Sequence, residues 1–189
     1  MKKALLNKKI GIILTDTIYG IVGLALDKDV VERIYKVKKR DIKKPMIILI
    51  SSIEDLSNIF GINLNQKCIN ILKEFWPGNV SVILPCKKFE HIHRGLNSIA
   101  FRLPNKKELI DLIKETGPLV ATSANKEGEK PTQSIIEAKK CFHDEIDFYV
   151  DGGEPSKNPS ILIKLKNEDE LEILRGKICL KKYFLFYLF

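Results

Sequence analysis

The residues that build metal and redox centres are scarce in this sequence. The 189-residue chain has four cysteines and three histidines. Cys68, Cys86, Cys141 and Cys179 form no C-x-x-C pair, and no histidine is spaced to complete a zinc site. They read as reduced, mostly buried thiols of a cytosolic protein. His91 and His93, in "HIH", sit alone in a polar stretch and read as surface rather than as metal ligands. Long apolar runs are missing too. The C-terminal "YFLFYLF" is too short to span a bilayer. Asn7, Lys8 and Lys9 interrupt the opening "MKKALLNKKIGIIL" before it becomes the apolar core of a signal peptide. No membrane partner and a cytoplasmic setting are therefore expected. Nothing matches G-x-x-x-x-G-K-[ST] or G-x-G-x-x-G, so any nucleotide must be held by side chains from separate loops. Ser123 is in no G-x-S-x-G and has no histidine nearby, which counts against serine acyl transfer. There is no internal repeat and no low-complexity segment.

What is present is an ordinary globular composition, 44% hydrophobic and 30% charged, with 32 Lys and Arg against 24 Asp and Glu, a net charge of +8. That excess raises the expectation of phosphate-bearing partners, nucleotides or RNA, without choosing between them. Apolar runs predict strands at Lys9–Thr15, Ile21–Leu26, Met46–Ile50, Val80–Pro85, Ser98–Pro104 and Pro118–Ser123. Shorter strands are expected at Phe148–Asp151, Ser160–Leu165 and Leu171–Leu174. Helical periodicity predicts helices from Asp29 to about Lys39, and at Ile53–Phe60, Asn65–Phe75, Lys107–Glu115 and Ser134–Cys141. The first is expected to be capped by Asp29, with Glu32 completing a capping box. Some successive strands are too close for a helical crossover. The fold class is therefore α/β (α+β): a twisted, open mixed sheet flanked by helices in a single domain. Residues 1–178 form that domain, and 179–189 a short apolar tail.

Four polar clusters fall at strand ends, where open α/β sheets collect ligands. They are "TDTIYG" (Thr15–Gly20), "KKRDIKKP" (Lys38–Pro45), "TSANKEGEKPT" (Thr122–Thr132) and "PSILI" (Pro159–Ile163). Each has a plainer reading: a hairpin with a glycine turn, a solvated helix end whose cations offset the dipole, or a Ser/Asn turn. If Lys38 is still helical and Arg40 lies past the helix end, both heads can turn toward one anion. Ser123 and Asn125 alternate, so on extended backbone they point the same way and suit a polyphosphate.

Taken together and in order, "TDTIYG", Lys38-x-Arg40 followed by "KPM", "FWPG", "FRLP", "TSAN…G…PT", "DGG", "PSILI" and "ILRG" resemble the YrdC/TsaC family, the threonylcarbamoyl-AMP synthases, from about Lys9 to Ile178. The resemblance implies a YrdC-like fold. It also implies a reaction joining L-threonine, bicarbonate and ATP (carried with Mg2+) into threonylcarbamoyl-AMP and pyrophosphate. A tRNA-modifying transfer complex is the implied partner, with RNA contact possible in principle. By resemblance Lys38, Arg40, Ser123 and Asn125 are the catalytic tetrad around the phosphates. Arg40, Lys44, Ser98, Asn125 and Arg175 fall on the ATP side. Thr17, Arg102, Ser123 and Ser160 fall on the threonine side, with Arg102 meeting the substrate carboxylate. Leu14, Asp41, Leu49, Asn79 and Lys106 depart from the family's usual residues, Leu49 at a place expected beside the threonine pocket. Two alternatives stay open: a non-catalytic binder of double-stranded RNA, and a carbamoyl-adenylate-forming relative of the hydrogenase-maturation type.

Overall fold

The computed structural model describes residues 1–156, 158–166 and 170–177. The expected tail at 179–189, with Cys179, lies outside them. A nine-stranded mixed sheet runs through the molecule. Its strands are β1 (Gly11–Leu14), β2 (Tyr19–Leu24), β3 (Ile47–Leu49), β4 (Val80–Pro85), β5 (Ser98–Arg102), β6 (Leu119–Ser123), β7 (Phe148–Tyr149), β8 (Ile161–Leu165) and β9 (Leu171–Arg175). Across the sheet the order is β7-β1-β2-β6-β3-β5-β4-β8-β9. The pairs β1/β7, β3/β5 and β4/β8 are parallel and the rest antiparallel. The helices are α1 (Lys2–Leu6), α2 (Lys28–Lys38), α3 (Glu54–Asn58), α4 (Gln66–Phe75), α5 (Glu90–His93), α6 (Lys107–Thr116) and α7 (Ile135–Phe142).

Side-chain alternation along the strands divides the core into two unequal parts. Ile12, Ile48, Val82, Phe101, Val120 and Ile163 face the larger cluster, where α2, α4 and α7 contribute Val31, Ile34, Leu72, Ala138 and Phe142. The opposite face carries Ile13, Val22, Leu49, Leu119 and Ala121, covered by Leu5 of α1 and Leu109, Leu112 and Ile113 of α6. Those two helices cover only one end of that face. The remainder, including Ile47, Ile83, Ala100 and Leu162, floors a cavity.

Several expectations change. The cap of α2 is Asp27, not Asp29: its Oδ1 accepts the Val30 amide at 3.1 Å, which places the helix start at Lys28. Asp29 lies in the first turn instead. The same helix stops at Lys38, well before Pro45, because Lys39 adopts the left-handed conformation (φ 52°). Arg40 N then bonds Tyr35 O at 3.0 Å, a Schellman-type ending. Helices α1 and α5 were not anticipated, since each is a short segment whose register is set by tertiary packing. "HIH" lies in α5, with His93 buried and its Nδ1 accepting the Gly95 amide at 3.1 Å. The helix predicted at Ile53–Phe60 is shorter, Glu54–Asn58.

One connection decides the shape of the open face. Residues 150–160 link β7, at one edge of the sheet, to β8, next to the other. The start is pinned by Tyr19, whose hydroxyl lies 2.8 Å from Gly153 O and 3.0 Å from Asp151 Oδ1 and accepts the Gly152 amide at 3.2 Å. Farther along, Ser156 N donates to Thr17 O at 2.7 Å. Pro159 and Ser160 then border the cavity.

Candidate active site

The cavity has a volume of about 360 Å³ and gathers side chains from every polar cluster of the sequence. Thr15 and Thr17 enter from the β1–β2 turn, Arg40 from the segment after α2, and Ser98 and Arg102 from the two ends of β5. Ser123 closes β6, Ser160 precedes β8 and Arg175 ends β9. Ser98 and Arg102 reach the same side because they are an even number of residues apart on a strand, as are Ala121 and Ser123.

The three arginines are set differently. Arg40 donates Nε to Lys44 O at 2.8 Å and Nη2 to Pro45 O at 3.1 Å, which fixes the guanidinium plane. Five N–H groups are available to an arginine, so several remain for a ligand. Arg175 donates Nε to Ser160 O and Nη2 to Ser160 Oγ, both at 3.1 Å. Ser160 Oγ in turn accepts from Ser81 Oγ at 3.1 Å. Burial lowers the pKa of Arg175, and the charge of Arg40 adds to that. Arg102 is buried and ion-paired to Asp16 at 3.0 Å. Burial depresses its pKa, and Asp16 opposes the shift.

Lys38 is where the geometry departs most from expectation. It is the last residue of α2, as anticipated, but its head does not turn outward with that of Arg40. The side chain is 1% exposed and lies against the loop after β6. Its ammonium donates to Ser123 O at 2.7 Å, Asn125 O at 2.8 Å and Asn125 Oδ1 at 3.2 Å, with Ser123 Oγ at 3.5 Å. The left-handed turn at Lys39 explains the divergence: it reverses the chain, so Lys38 points back and Arg40 forward. Burial, reinforced by the charge of Arg40, brings the Lys38 pKa down to about 8.

Asn125 is likewise turned inward. Its Nδ2 donates to Lys126 O and Glu129 O, both at 2.8 Å, which closes the loop on itself. Lys38 and Asn125 therefore meet across 87 positions of chain, but neither lines the cavity. Of that tetrad, Ser123 and Arg40 line it. Lys44 also stays outside, its ammonium paired with Glu127. Glu127 Oε2 accepts the Asp41 amide as well, and Glu127 N donates to Lys38 O at 3.0 Å, so this residue knits the two loops together. Leu49 is fully buried with α6, in register with Arg102 on β5, and is no part of the cavity lining. Leu109, Leu112 and Ile113 of α6 cover that end of the sheet face.

Asp16, Ser81 and Glu127 were missed by the sequence reading. Ser81 had a signal: a serine inside an apolar strand, "VSVILP", fully buried and so in need of a hydrogen-bond partner. Asp16 lay within a quoted motif, masked by the threonines on either side. Glu127 had none, because its partners come from a loop 86 residues away.

The chain can now be set beside known proteins. The Sua5/YciO/YrdC family model, described as "Telomere recombination", matches residues 3–176. Threonylcarbamoyl-AMP synthase of Bacillus subtilis is 37% identical over 146 residues, covering 74% of this chain and 41% of the relative. A putative threonylcarbamoyl-AMP synthase of Methanocaldococcus jannaschii is 30% identical over 185 residues, 96% of this chain and 86% of that protein. The crystal structure of P. abyssi Sua5 complexed with L-threonine superposes with a TM-score of 0.84 at 30% identity, over 92% of this chain and 52% of that one. The match thus spans about two-fifths of the Bacillus protein and about half of the P. abyssi structure. Because the family model covers nearly all of the described sheet, its helices and the cavity they leave open, this chain belongs to the Sua5/YciO/YrdC family.

Proposed function

We propose that the cavity is the site of a threonylcarbamoyl-AMP synthase, which joins L-threonine, bicarbonate and ATP and releases pyrophosphate. The observation that carries this reading is the cavity's charge. Arg40, Arg102 and Arg175 open into one space with the hydroxyls of Thr17, Ser98, Ser123 and Ser160, and among the described residues no carboxylate lines it. The reactants are anionic on both sides. The threonine amine and bicarbonate give a carbamate and water. A carbamate oxygen attacks the α-phosphorus, and the bond to the β-phosphate breaks. Repulsion between the anions, and charge on the α-phosphate oxygens, dominate the barrier, and fixed cations are the remedy. No general base is needed once the carbamate exists.

The roles of the lining residues are part of the same proposal. Arg40 faces the phosphates, where its fixed guanidinium can grip two oxygens. Ser123 supplies a directional hydrogen bond beside it, and Ser98 and Arg175 complete the nucleotide side. Arg102, Thr17 and Ser160 take the amino acid, Arg102 through its carboxylate. Lys38 and Asn125 serve by fixing the loop that carries Ser123, rather than by touching phosphate. Mg2+ arrives with the nucleotide. A cytoplasmic enzyme handing its adenylate to a tRNA-modifying complex fits this chemistry. Among the described residues no helix is long and apolar enough to cross a membrane.

Pyrophosphate release tests the reading. It should require ATP, threonine and bicarbonate together; release indifferent to threonine overturns the assignment. Faster turnover with carbamoyl phosphate in place of threonine and bicarbonate would move the chain to the hydrogenase-maturation type of chemistry. Salt-steep RNA binding without any ATP binding would make it a non-catalytic RNA binder.

A further inference from the structure

Asp16 stands between two cavity-lining threonines, Thr15 and Thr17, but does not line the cavity itself. Its carboxylate turns behind the wall. There Oδ1 lies 3.0 Å from Arg102 Nη2, and Oδ2 accepts the Asn105 amide at 3.2 Å. Lys106 Nζ donates to Leu14 O at 2.8 Å, so the segment following β5 grips the turn at Leu14 as well as at Asp16. Both members of the ion pair are almost sealed from water, Arg102 at 4% and Asp16 at 3% exposed.

Arg102 is under strain from its neighbours. Burial disfavours its charge, and Arg175 repels it across the cavity. Nothing anionic lines that space among the described residues to hold it. A buried cation in such company keeps its place only if a counter-charge fixes it, and Asp16 is that counter-charge. The Nε–H of Arg102 meanwhile has no hydrogen-bond partner among the described residues. Asp16 Oδ1 likewise has no hydrogen-bond partner there, so the pair is held by charge at 3.0 Å rather than by an aligned hydrogen bond.

We propose that Asp16 is a positioning residue that holds Arg102 in the pose that receives the carboxylate of the amino-acid substrate, and so sets the preference for a substrate bearing a free carboxylate. Asp16 touches no substrate; it acts through Arg102. This inference rests on the threonine reading of the site given above. Asp16→Asn keeps the shape and can still accept from Asn105 N, but it removes the charge that orients Arg102.

The test is calorimetric titration of threonine, and separately of threonine amide, into protein loaded with a non-hydrolysable ATP analogue. Wild type prefers threonine over its neutral amide. Asp16→Asn is expected to weaken threonine binding at least tenfold and to collapse that preference, while the affinity for the ATP analogue changes less than threefold. A general structural defect would weaken all three ligands alike, which would overturn the proposal. So would Asp16→Asn binding threonine within threefold of wild type with the preference intact. If Asp16→Asn does not fold, Asp16→Glu decides: a retained preference supports the charge argument, and a lost preference in a folded, analogue-binding variant refutes it. Wild type that binds no threonine at all removes both the function and this inference, whereas normal wild-type binding with an indifferent variant removes this inference alone.

Discussion

Replacing Lys38 by methionine separates two effects that oppose each other. The substitution keeps most of the buried stem and deletes the ammonium. It leaves Asn125 O and Asn125 Oδ1 without the donor they now share. An orphaned buried acceptor costs about 1–3 kcal/mol, so the two together cost roughly 2–6 kcal/mol. Against that stands relief from burying a charge. A pKa brought from 10.5 down to about 8 corresponds to roughly 3 kcal/mol of unfavourable environment for the charged form at neutral pH. The difference is small, between a slight gain and about 3 kcal/mol of loss. Lys38→Met should therefore fold. Activity should not survive, because the ammonium is what fixes Ser123 and its loop beside Arg40; we expect a fall in kcat of about 10²-fold, the scale on which preorganised groups matter. Denaturant unfolding and pyrophosphate release measure the two quantities on one preparation. Activity within threefold of wild type, or a stability loss above about 5 kcal/mol, would refute the balance drawn here.

Four further outcomes are expected. Arg40→Ala removes the fixed guanidinium and should lower turnover about ten- to a hundredfold in the same assay, with the melting temperature little changed. The low pKa of Lys38 means its ammonium is present below about pH 8 and lost above it. Activity should then fall on the alkaline side with an apparent pKa near 8, a limb absent in Lys38→Met. The sign for stability is opposite: the unfavourable burial of the charge is fully present below pH 8 and relieved between about 8 and 10.5, so this group makes thermal stability rise through that window. Gly152→Ala would bring its Cβ to 2.5 Å from Leu14 Cβ. A loss of about 1–3 kcal/mol in denaturant unfolding is expected, and an unchanged midpoint would count against the close packing of that segment on β1.

Much of the sheet was legible because its strands are apolar on both faces, and a central strand buried on both sides advertises itself that way. The ends were less so. "LDKDV" offers two aspartates for one cap, and only the position of the Val30 amide chooses Asp27. The four motif clusters line one cavity, since residues at strand ends on one side of a sheet converge whatever else happens. What they did not disclose was direction. Lys38 and Arg40 are two residues apart, and their divergence comes from a single backbone torsion at Lys39. No residue type there demanded it. Leu49 shows the same lesson from the other side: its parity along β3 matches that of Ile47, which floors the cavity, but α6 covers one and leaves the other open.

The link between β7 and β8 has a consequence for which sequences this fold can tolerate. Between those strands lie seven inter-strand steps, roughly 34 Å at the usual spacing of about 4.8 Å. The link's first part is turned rather than drawn out: Gly153 has φ +84°, its amide donates to Asp151 Oδ1 at 3.0 Å, and Ser156 N is tied to Thr17 O at 2.7 Å. Ordinary surface loops absorb insertions and deletions cheaply. Here a deletion between Asp151 and Ser156 would have to give up the bonds of the Tyr19 hydroxyl or that of Ser156 N to Thr17 O. Between those two ties the length of the link, as much as its composition, is held by contacts at both ends.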